Sequence, residues 1–293
     1  MTQGFDKVYR QLALDYCCSE AEIKTGSGNI FRPFEMLDGQ RLFDCTEPPF
    51  LKAASVKNRL LFTGRSDIIE RLRQEFNDAD AAWFMEPENM RRLDGILYRY
   101  GYRIEKIHPF FVSFELTETL NPGNSGSGNN YDTTGSKTKS ASAISDTINP
   151  GADERLGSDE KPAPGSTIFR LYEEKDIEAF RGDERFDKAF SFKPMTPDVL
   201  GIGAIENEEV IAMAGASADS PEFWQIGINV LPAARGKNLG VQLVTRLKNE
   251  ILKRGKVPYY GTSFSHTLSL RIAVKSGFIP AWTELITAES SKE

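Results

Sequence analysis

The segment Leu231–Gly240, LPAARGKNLG, places two cations and two glycines between an apolar run and an amphipathic run. A turn from a strand into a helix leaves backbone N–H groups free at the helix N-terminus, where about half a positive charge favours phosphate. Arg235 and Lys237 add positive charge, and Gly236 and Gly240 let the backbone approach a ligand closely. The segment predicts a phosphate or pyrophosphate cradle, with a tight connection carrying two surface cations as the alternative.

The sequence argues against several other chemistries. The turn lacks the GxxxxGK[ST] spacing, and no GxGxxG opens a first βα unit. The cysteines Cys17, Cys18 and Cys45 and the histidines His108 and His266 show no metal-ligand spacing, so we expect no metal site. We expect free, mostly buried thiols, with a strained vicinal disulfide between Cys17 and Cys18 as the alternative.

Apolar periodicity indicates the elements that must position this turn. From residue 167 on, the predicted order is strand TIFRLY, one or two short helices in KDIEAFRGDERFDKAF, hairpin DVLGIGAIENEEVIAMAGASAD, strand FWQIGINVLP, the turn, helix LGVQLVTRLKNEILKRG, strand VPYYGTSF, helix TLSLRIAVKSG and strand FIPAWTELITA. The hairpin turns at residues 206–208, and the first long helix ends at Gly255. Alternating strands and helices imply an α/β layer.

The first part of the chain is also predicted to be α/β. Its predicted order is helix DKVYRQLALDYCC, strand RLLFTG, helix SDIIERLRQEF with Ser66 as N-cap, strand AAWFME, helix PENMRRLDGILYRYG ending at Gly101, and a strand pair or one bent strand in YRIEKIHPFFVSF. The rest of residues 1–50 shows no regular pattern.

A polar segment separates the two parts. From Leu120 to Ser166, Gly, Ser, Asn, Thr and Pro dominate, and Tyr131 is the only aromatic residue. Such a segment buries too little apolar area to offset its ordering entropy, so we expect a flexible linker. We therefore predict an N-terminal α/β domain at 1–118, a linker at 119–166 and a second domain at 167–293.

The charge and hydropathy of the chain limit its partners. A net charge of −6 argues against broad attraction to nucleic acid or anionic lipid, so an anionic ligand must be held locally. No apolar run reaches the ~18 to 20 residues that cross a bilayer, and the N-terminal residues lack an apolar core of the signal-peptide type. We expect a cytoplasmic protein without nucleic-acid or membrane partners, and we leave a homodimer open.

The turn and a later helix resemble the GNAT superfamily of N-acyltransferases. The acyl-CoA loop of that superfamily has the pattern [QR]-x-x-G-x-[GA], which here reads RGKNLG over 235–240, with Asn238 in place of its first glycine. Asn adopts the left-handed conformation more readily than most residues. In SHTLSLRIAVKSGF, His266 stands at the usual Asn position, Ser269 at the small or hydroxyl position, and Gly277–Phe278 at the close.

The resemblance covers residues 167–287 and implies a mixed central sheet flanked by helices, with acetyl-CoA as co-substrate. Backbone amides of the turn would take the pyrophosphate, and the preceding strand would run beside the pantetheine. The implied binding residues are Ile228, Asn229, Val230, Arg235, Gly236, Lys237, Asn238, Leu239, Gly240, His266 and Ser269. An N–H near Val230 would polarise the thioester carbonyl, which is commonly worth ~3 to 4 kcal/mol per donor.

The resemblance also implies direct attack of an amine on the thioester, which needs a base and, for the leaving thiolate, an acid. The late-helix tyrosine that serves as acid in many members is Ala273 here. Tyr259, Tyr260 and Ser263 are the candidates by proximity, although strand tyrosines commonly serve packing instead. Glu222, acting through water, is the candidate base.

Other conspicuous residues have simpler interpretations. We expect Glu206 to be a solvated carboxylate at the hairpin tip and His266 to cap a helix or line the CoA groove rather than act as a base. Trp224 and Trp282 are expected in the core or in a site wall, and His108 is expected to be a partly buried strand residue.

We predict an acetyl-CoA-dependent N-acetyltransferase acting on an amine of a small molecule or protein. The missing tyrosine and the irregular loop motivate an alternative from another class, a non-catalytic acyl-CoA-binding regulatory module. A third interpretation is a phosphate-sensing protein without selectivity for the pantetheine arm. Because residues 59–115 repeat the predicted element order of 224–287, the N-terminal domain is either a degenerate acyltransferase-like half or a chance similarity.

Overall fold

The computed structural model describes residues 2–41, 48–118 and 166–290. The predicted linker at 119–166 lies outside the described residues except for Ser166. The described residues form a mixed α/β fold in which helices flank one large sheet. The predicted fold class is therefore confirmed.

The described residues form seven α-helices and ten strands. The helices are α1 Thr2–Asp15, α2 Glu20–Thr25, α3 Ser66–Phe76, α4 Pro87–Tyr98, α5 Glu174–Ile177, α6 Leu239–Lys253 and α7 Thr267–Lys275. The strands are β1 Ile30–Pro33, β2 Leu51–Val56, β3 Arg59–Gly64, β4 Tyr102–Val112, β5 Ile168–Glu173, β6 Asp198–Glu206, β7 Glu209–Ala218, β8 Phe223–Val230, β9 Val257–Gly261 and β10 Ile279–Glu289. From β5 on, this order agrees with the predicted one. None of the described helices is long and apolar enough to cross a bilayer.

All ten strands belong to one sheet, in the order β1-β3-β2-β10-β4-β9-β8-β7-β6-β5. The pairs β1/β3 and β8/β9 are parallel, and the other neighbours are antiparallel. The sheet therefore continues from the first predicted part of the chain into the second, through the pairing of β2 with β10.

Strand β4 belongs to the first part of the chain but lies between two strands of the second. One of its edges pairs with β10 along nearly its whole length, from Tyr102 opposite Glu289 to Val112 opposite Ile279. At its C-terminal end the other edge pairs with β9, where Phe110 faces Gly261. A Cβ on Gly261 would lie 2.5 Å from the Phe110 ring, so this close approach requires glycine. Residues before position 119 thus complete the part of the sheet that the strands after position 166 form.

Successive side chains of β7 point to opposite faces of the sheet, and a different apolar cluster covers each face at this end. Ala212, Ala214 and Ala216 are fully buried and belong to the same apolar cluster as the buried side chains of α6. Met213 points the other way and packs with Phe190 in a separate cluster. Small residues at every second position let the helix approach the sheet closely.

The N-terminal half contains four differences from the predicted elements. Helix α2 and strand β1 lie within residues 1–50, where no regular pattern was expected beyond the first helix. Strand β2 was not predicted; it forms a hairpin with β3 through Lys57 and Asn58, both with positive φ. The predicted strand AAWFME is wrong, because residues 81–86 form successive turns in which Asp80 accepts from the backbone N–H groups of Ala82 and Trp83. Residues 59–115 therefore run strand, helix, helix, strand, and the repeated order that suggested a duplication is absent from this fully described range.

Two smaller expectations also need correction. Helix α3 has Arg65 rather than Ser66 as its N-cap, since Arg65 is still extended and donates its backbone N–H to Phe50. Cys17 and Cys18 are free but half-buried rather than mostly buried. Cys45 lies outside the described residues.

The isolated aromatic and histidine residues occupy the predicted environments. Trp282 is 5% exposed and stacks on Phe110, with 5.1 Å between ring centroids. Trp224 is half-buried against the α6 cluster. His108 is half-buried on β4, and burial lowers its pKa.

Candidate functional site

Strands β8 and β9 separate partway along their length. They pair through Phe223, Trp224 and Gln225, and no further pair joins them within the described residues 166–290. Beyond this point the strands diverge, as expected where a parallel pair opens a crevice at its carboxyl end. Two adjoining cavities occupy the opening, with volumes of about 650 Å³ and 450 Å³.

The larger cavity, called the cleft here, lies between residues 228–230 of β8, the turn at 234–241 and the face of α7 that carries Ile272. The smaller cavity is called the acidic pocket after the two carboxyl groups in its lining, Asp198 and Asp219; Lys188 and Lys193 line it as well. The two cavities share four lining residues: Ile228, Tyr260, His266 and Ser269. A molecule bound in the cleft would therefore meet one bound in the acidic pocket at this common wall.

The glycine turn forms one end of the cleft. Gly236 has a φ of 86° and Asn238 a φ of 59°, so asparagine does adopt the left-handed conformation at the position of the missing glycine. Asn238 precedes α6 without capping it through its side chain, which leaves the first N–H groups of the helix free of a side-chain partner. A Cβ on Gly240 would lie 2.8 Å from Cδ1 of Ile272, so glycine also lets α6 approach α7.

The cations at the cleft differ from those that the sequence indicated. Arg235 lines the cleft, but Lys237 does not; its Nζ lies 2.5 Å from Oε2 of Glu206. Glu206 is thus ion-paired rather than merely solvated, and Thr167 donates to its other oxygen at 2.6 Å. Arg271 and Lys275 line the cleft from α7 instead. Their spacing of four residues on one helix face is the signal that could have identified them.

The strand residues Ile228, Asn229 and Val230 all line the cleft. The Asn229 side chain has a separate role, since its Oδ1 accepts from the backbone N–H groups of Lys188 and Ala189 at 2.9 Å and 2.8 Å. These two hydrogen bonds hold residues 187–190 against the sheet, beside the acidic pocket.

The wall shared by the two cavities contains a buried hydroxyl pair. The Tyr260 hydroxyl lies 2.7 Å from Oγ of Ser269, and Tyr260 is 2% exposed. Burial raises the pKa of Tyr260, so the hydroxyl keeps its proton at neutral pH. His266 lines both cavities and, although it precedes α7, its side chain does not cap that helix. Ala273 is fully buried in the core, so its position supplies no acid.

The structure does not bring Glu222 or Ser263 to either cavity. Glu222 precedes β8 at the end where β8 and β9 are still joined, and its carbonyl accepts from the Val257 N–H at 2.8 Å. The strands open at their opposite ends, which separates Glu222 from the cleft. Ser263 bonds to Ser265, with 3.0 Å between the hydroxyl oxygens, and lines neither cavity.

The two carboxyl groups of the acidic pocket were not identified from the sequence. Asp219 is 3% exposed and accepts hydrogen bonds from the Tyr259 hydroxyl and from Oγ of Ser217, the latter at 2.7 Å. Burial raises its pKa to about 6. Asp198 accepts from the backbone N–H groups of Ser191 and Phe192 at 3.0 Å and 2.7 Å, and burial raises its pKa as well. Within the described residues, no group of histidine, cysteine and acidic side chains has the arrangement of a metal site.

Residues 167–282, which contain the turn, the separated strands and α7, match the family model for GNAT acetyltransferases. This part of the chain belongs to the GNAT superfamily. The GNAT match begins just before β5 and ends within β10, so β4, which pairs with β10 and β9, lies outside it. No curated protein is detectably similar in sequence to the chain.

Solved GNAT structures are remote from this chain. A GCN5-related N-acetyltransferase-like protein from Streptococcus suis is 12% identical, with 98% of this chain and 100% of that one covered and a TM-score of 0.43. A GCN5-related N-acetyltransferase from Kribbella flavida is 14% identical, with 68% and 63% covered and a TM-score of 0.40. An aminoglycoside N-acetyltransferase solved in complex with CoA is 18% identical, with 42% and 93% covered and a TM-score of 0.31.

Proposed function

We propose that this protein is an acetyl-CoA-dependent N-acetyltransferase whose acceptor amine enters the acidic pocket. The observation that carries the proposal is the meeting of two unlike cavities at the Tyr260–Ser269 wall. One cavity offers an uncapped helix N-terminus and cations, and the other offers two buried carboxyl groups. A thioester donor and a cationic acceptor need a phosphate-binding site and a carboxyl-containing site side by side.

The cleft supplies groups for each part of acetyl-CoA. The backbone N–H groups at 236–240 face the pyrophosphate at the positive end of α6, and Arg235 lies beside them. Arg271 and Lys275 add positive charge along the opposite wall. The edge of β8 at residues 228–230 runs beside the pantetheine, and one of its N–H groups polarises the thioester carbonyl.

Asp219 is the proposed general base. An acceptor ammonium loses one proton to the Asp219 carboxylate, directly or through one water, and the resulting amine nitrogen attacks the thioester carbonyl carbon. The C–N bond forms, the C–S bond breaks, and CoA leaves as a thiolate that takes a proton from the Tyr260 hydroxyl. The nitrogen loses its second proton as it becomes an amide nitrogen, and this proton returns to the Tyr260 oxygen, directly or through water, while Asp219 releases the first proton to solvent. A base with a pKa of about 6 is ionised at neutral pH and still accepts a proton readily.

The acidic pocket favours a small cationic amine or an extended side chain that carries one. Its volume of about 450 Å³ is in the range of small-molecule sites. Two nearly buried carboxyl groups in it attract an ammonium group, and of the two lysines that also line it, Lys188 and Lys193, the first is already paired with Asp187.

The experiment is a measurement of free-thiol release from acetyl-CoA across polyamines, aminoglycosides, amino acids and peptide N-termini. The double variant Arg235→Ala, Gly240→Glu should lose release, because it removes a cation, places a carboxylate at the cradle and crowds Ile272 where α6 meets α7. Lys237→Ala is the matched control, since this neighbouring cation is paired with Glu206 outside the cleft. Saturable CoA binding without release on any amine would instead favour the non-catalytic regulatory module.

A further inference from the structure

A buried ion cluster connects the N-terminal half to the acidic pocket. Arg41 lies between two carboxylates, with its Nε 2.5 Å from Oδ2 of Asp15 and its Nη2 bonded to Oε1 of Glu284. The side chains of Arg41 and Asp15 are fully buried, and that of Glu284 is 1% exposed. Removing charges from water is costly, so such a cluster persists only where its members are held by good partners.

The guanidinium of Arg41 reaches the pocket through Tyr259. It lies 5.6 Å from the Tyr259 ring centroid and 4.9 Å from that of Trp282. The Tyr259 hydroxyl then donates to Asp219, which lines the pocket. Arg41 and Asp219 are thus separated by one buried ring.

A second hydrogen-bonded connection runs from α1 to Ser220, the residue next to Asp219. Gln11 donates from Nε2 to Oδ1 of Asp15 at 2.9 Å and accepts from Oγ of Ser220 at 2.9 Å. Because Ser220 follows Asp219 directly, residues of the N-terminal half fix both the carboxylate and the turn that carries it.

We propose that Arg41 is a positioning residue for acetyl transfer, which orients Asp219 through Tyr259 and supports the negative charge of its carboxylate. The proposal rests on the proposed function, in which Asp219 takes the proton from the amine. It assigns to residues 1–118 a part in the active site rather than a separate role.

Opposing charges surround Asp219. Arg41 and the Tyr259 hydroxyl favour its ionised form, whereas burial and Asp198 disfavour it. The other charged or titratable groups nearby are Asp15 at the end of α1, Glu284 on β10, Lys188 and Lys193 from the segment between α5 and β6, and Tyr260 and His266 from the shared wall. Loss of the Arg41 charge or of the Tyr259 hydroxyl therefore raises the pKa of Asp219 further.

The test compares Arg41→Gln, Arg41→Lys and Tyr259→Phe with the unchanged protein. Two quantities are measured: the pH dependence of kcat/KM, and the titration of the Asp219 carboxyl followed by carbon NMR without substrate. We expect Arg41→Gln and Tyr259→Phe to move the acidic limb and the titration upward by about one pH unit. Arg41→Lys should restore part of the Arg41→Gln shift. If Arg41→Gln does not fold, Arg41→Lys carries the test, with a smaller expected shift in the same direction.

A destabilising variant outside the cluster serves as the control. Leu72→Ala empties a fully buried position of α3 in a different apolar cluster, so it lowers stability without touching the ion pairs. A merely structural role for Arg41 predicts that both Arg41 variants resemble Leu72→Ala, with an unmoved acidic limb, whatever Tyr259→Phe does, and this result would overturn the proposal. If no amine supports thiol release in the unchanged protein, the transferase assignment fails and takes the proposal with it, whatever the carboxyl titration shows.

Discussion

The side chain of Asn229 accepts a hydrogen bond from the backbone N–H of Lys188, with 2.9 Å between its Oδ1 and the Lys188 nitrogen. Gly227, two residues earlier on β8, makes this possible, since a Cβ there would lie 1.8 Å from the Lys188 carbonyl oxygen. The segment that carries Lys188 and Ala189 lines the acidic pocket. The strand that is proposed to guide pantetheine thus also fixes one wall of the proposed acceptor site.

We expect Asn229→Leu to deform the acidic pocket more than the cleft. Two backbone N–H groups lose their acceptor, and only that of Ala189 belongs to a buried residue, so the free energy of unfolding should fall by about 1 kcal/mol. The KM for the amine should rise more than the KM for acetyl-CoA, because the backbone of residue 229 still lines the cleft. Denaturant unfolding and initial-rate kinetics measure the two effects. An increase confined to the acetyl-CoA KM would contradict this role.

We expect Gly236→Ala and Gly255→Ala to be equally destabilising and functionally different. Both glycines have positive φ, 86° and 73°, and open space where a Cβ would lie, so each substitution should cost roughly 1 to 2 kcal/mol of backbone strain. Only Gly236 lies in the cradle; Gly255 follows the far end of α6. Calorimetric titration with CoA should show weaker binding for Gly236→Ala alone. Equal affinities would argue against phosphate binding at the turn.

The buried Asp219 should make activity and stability respond to pH in opposite directions. Its pKa is raised by burial to about 6 in the folded protein, so the folded state holds the proton more tightly than the unfolded state does. The free energy of unfolding contributed by Asp219 therefore falls as the pH rises from about 4 through 6, whereas kcat/KM rises through the same range. Asp219→Asn should remove the acidic limb, lower kcat, and raise the melting temperature at pH 8. A limb unchanged in this variant would exclude Asp219 as the base.

Tyr260→Phe tests whether the thiolate needs an acid. The buried hydroxyl keeps its proton at neutral pH, and general acids typically contribute about 10² to 10⁴ in rate. We expect kcat to fall within that range and the KM for acetyl-CoA to change little. Ser269→Ala removes the hydroxyl that partners Tyr260 while leaving the proposed acid, so it should have a smaller effect. An unaltered kcat in Tyr260→Phe would mean that the thiolate leaves unaided.

Arg271 and Lys275 should distinguish acetyl-CoA from a shorter thioester. Replacing both by Ala should raise the KM for acetyl-CoA by roughly tenfold, since exposed charge contacts to phosphate are individually modest. The KM for acetyl-pantetheine, which lacks the nucleotide phosphates, should stay the same. The Lys237→Ala control should leave both values unchanged, and a loss with both donors would indicate a structural defect instead.

Local signals explain why the second half of the chain was predicted well. Its strands alternate apolar and small residues, and its turns carry glycine, or asparagine as at Asn207 and Asn238, all with positive φ. These features act over a few residues and need no knowledge of the remaining chain. The turn at 235–240 was identified for the same reason.

The proposed acid and base sites depend on contacts that the sequence does not display. In the sequence, Asp219 looks like an ordinary carboxylate in a turn. Its buried environment depends on Tyr259 and Arg41, which lie 40 and 178 residues away along the chain. The sequence places Glu222 at the start of the strand that carries residues 228–230. Which end of β8 faces the cleft depends on where β8 and β9 diverge, which is a tertiary property. The place of β4 is equally non-local.

The insertion of β4 between β9 and β10 has a consequence for folding during synthesis. During translation, β4 is completed about 145 residues before β9 begins. Both edges of β4 therefore stay unpaired until the intervening residues have been synthesised. A fragment that starts at residue 167 would in turn lack the strand that joins β9 to β10, and we expect it to aggregate when made alone. Co-produced with residues 1–118, the same fragment should recover solubility, because strand pairing rather than chain continuity joins the two halves.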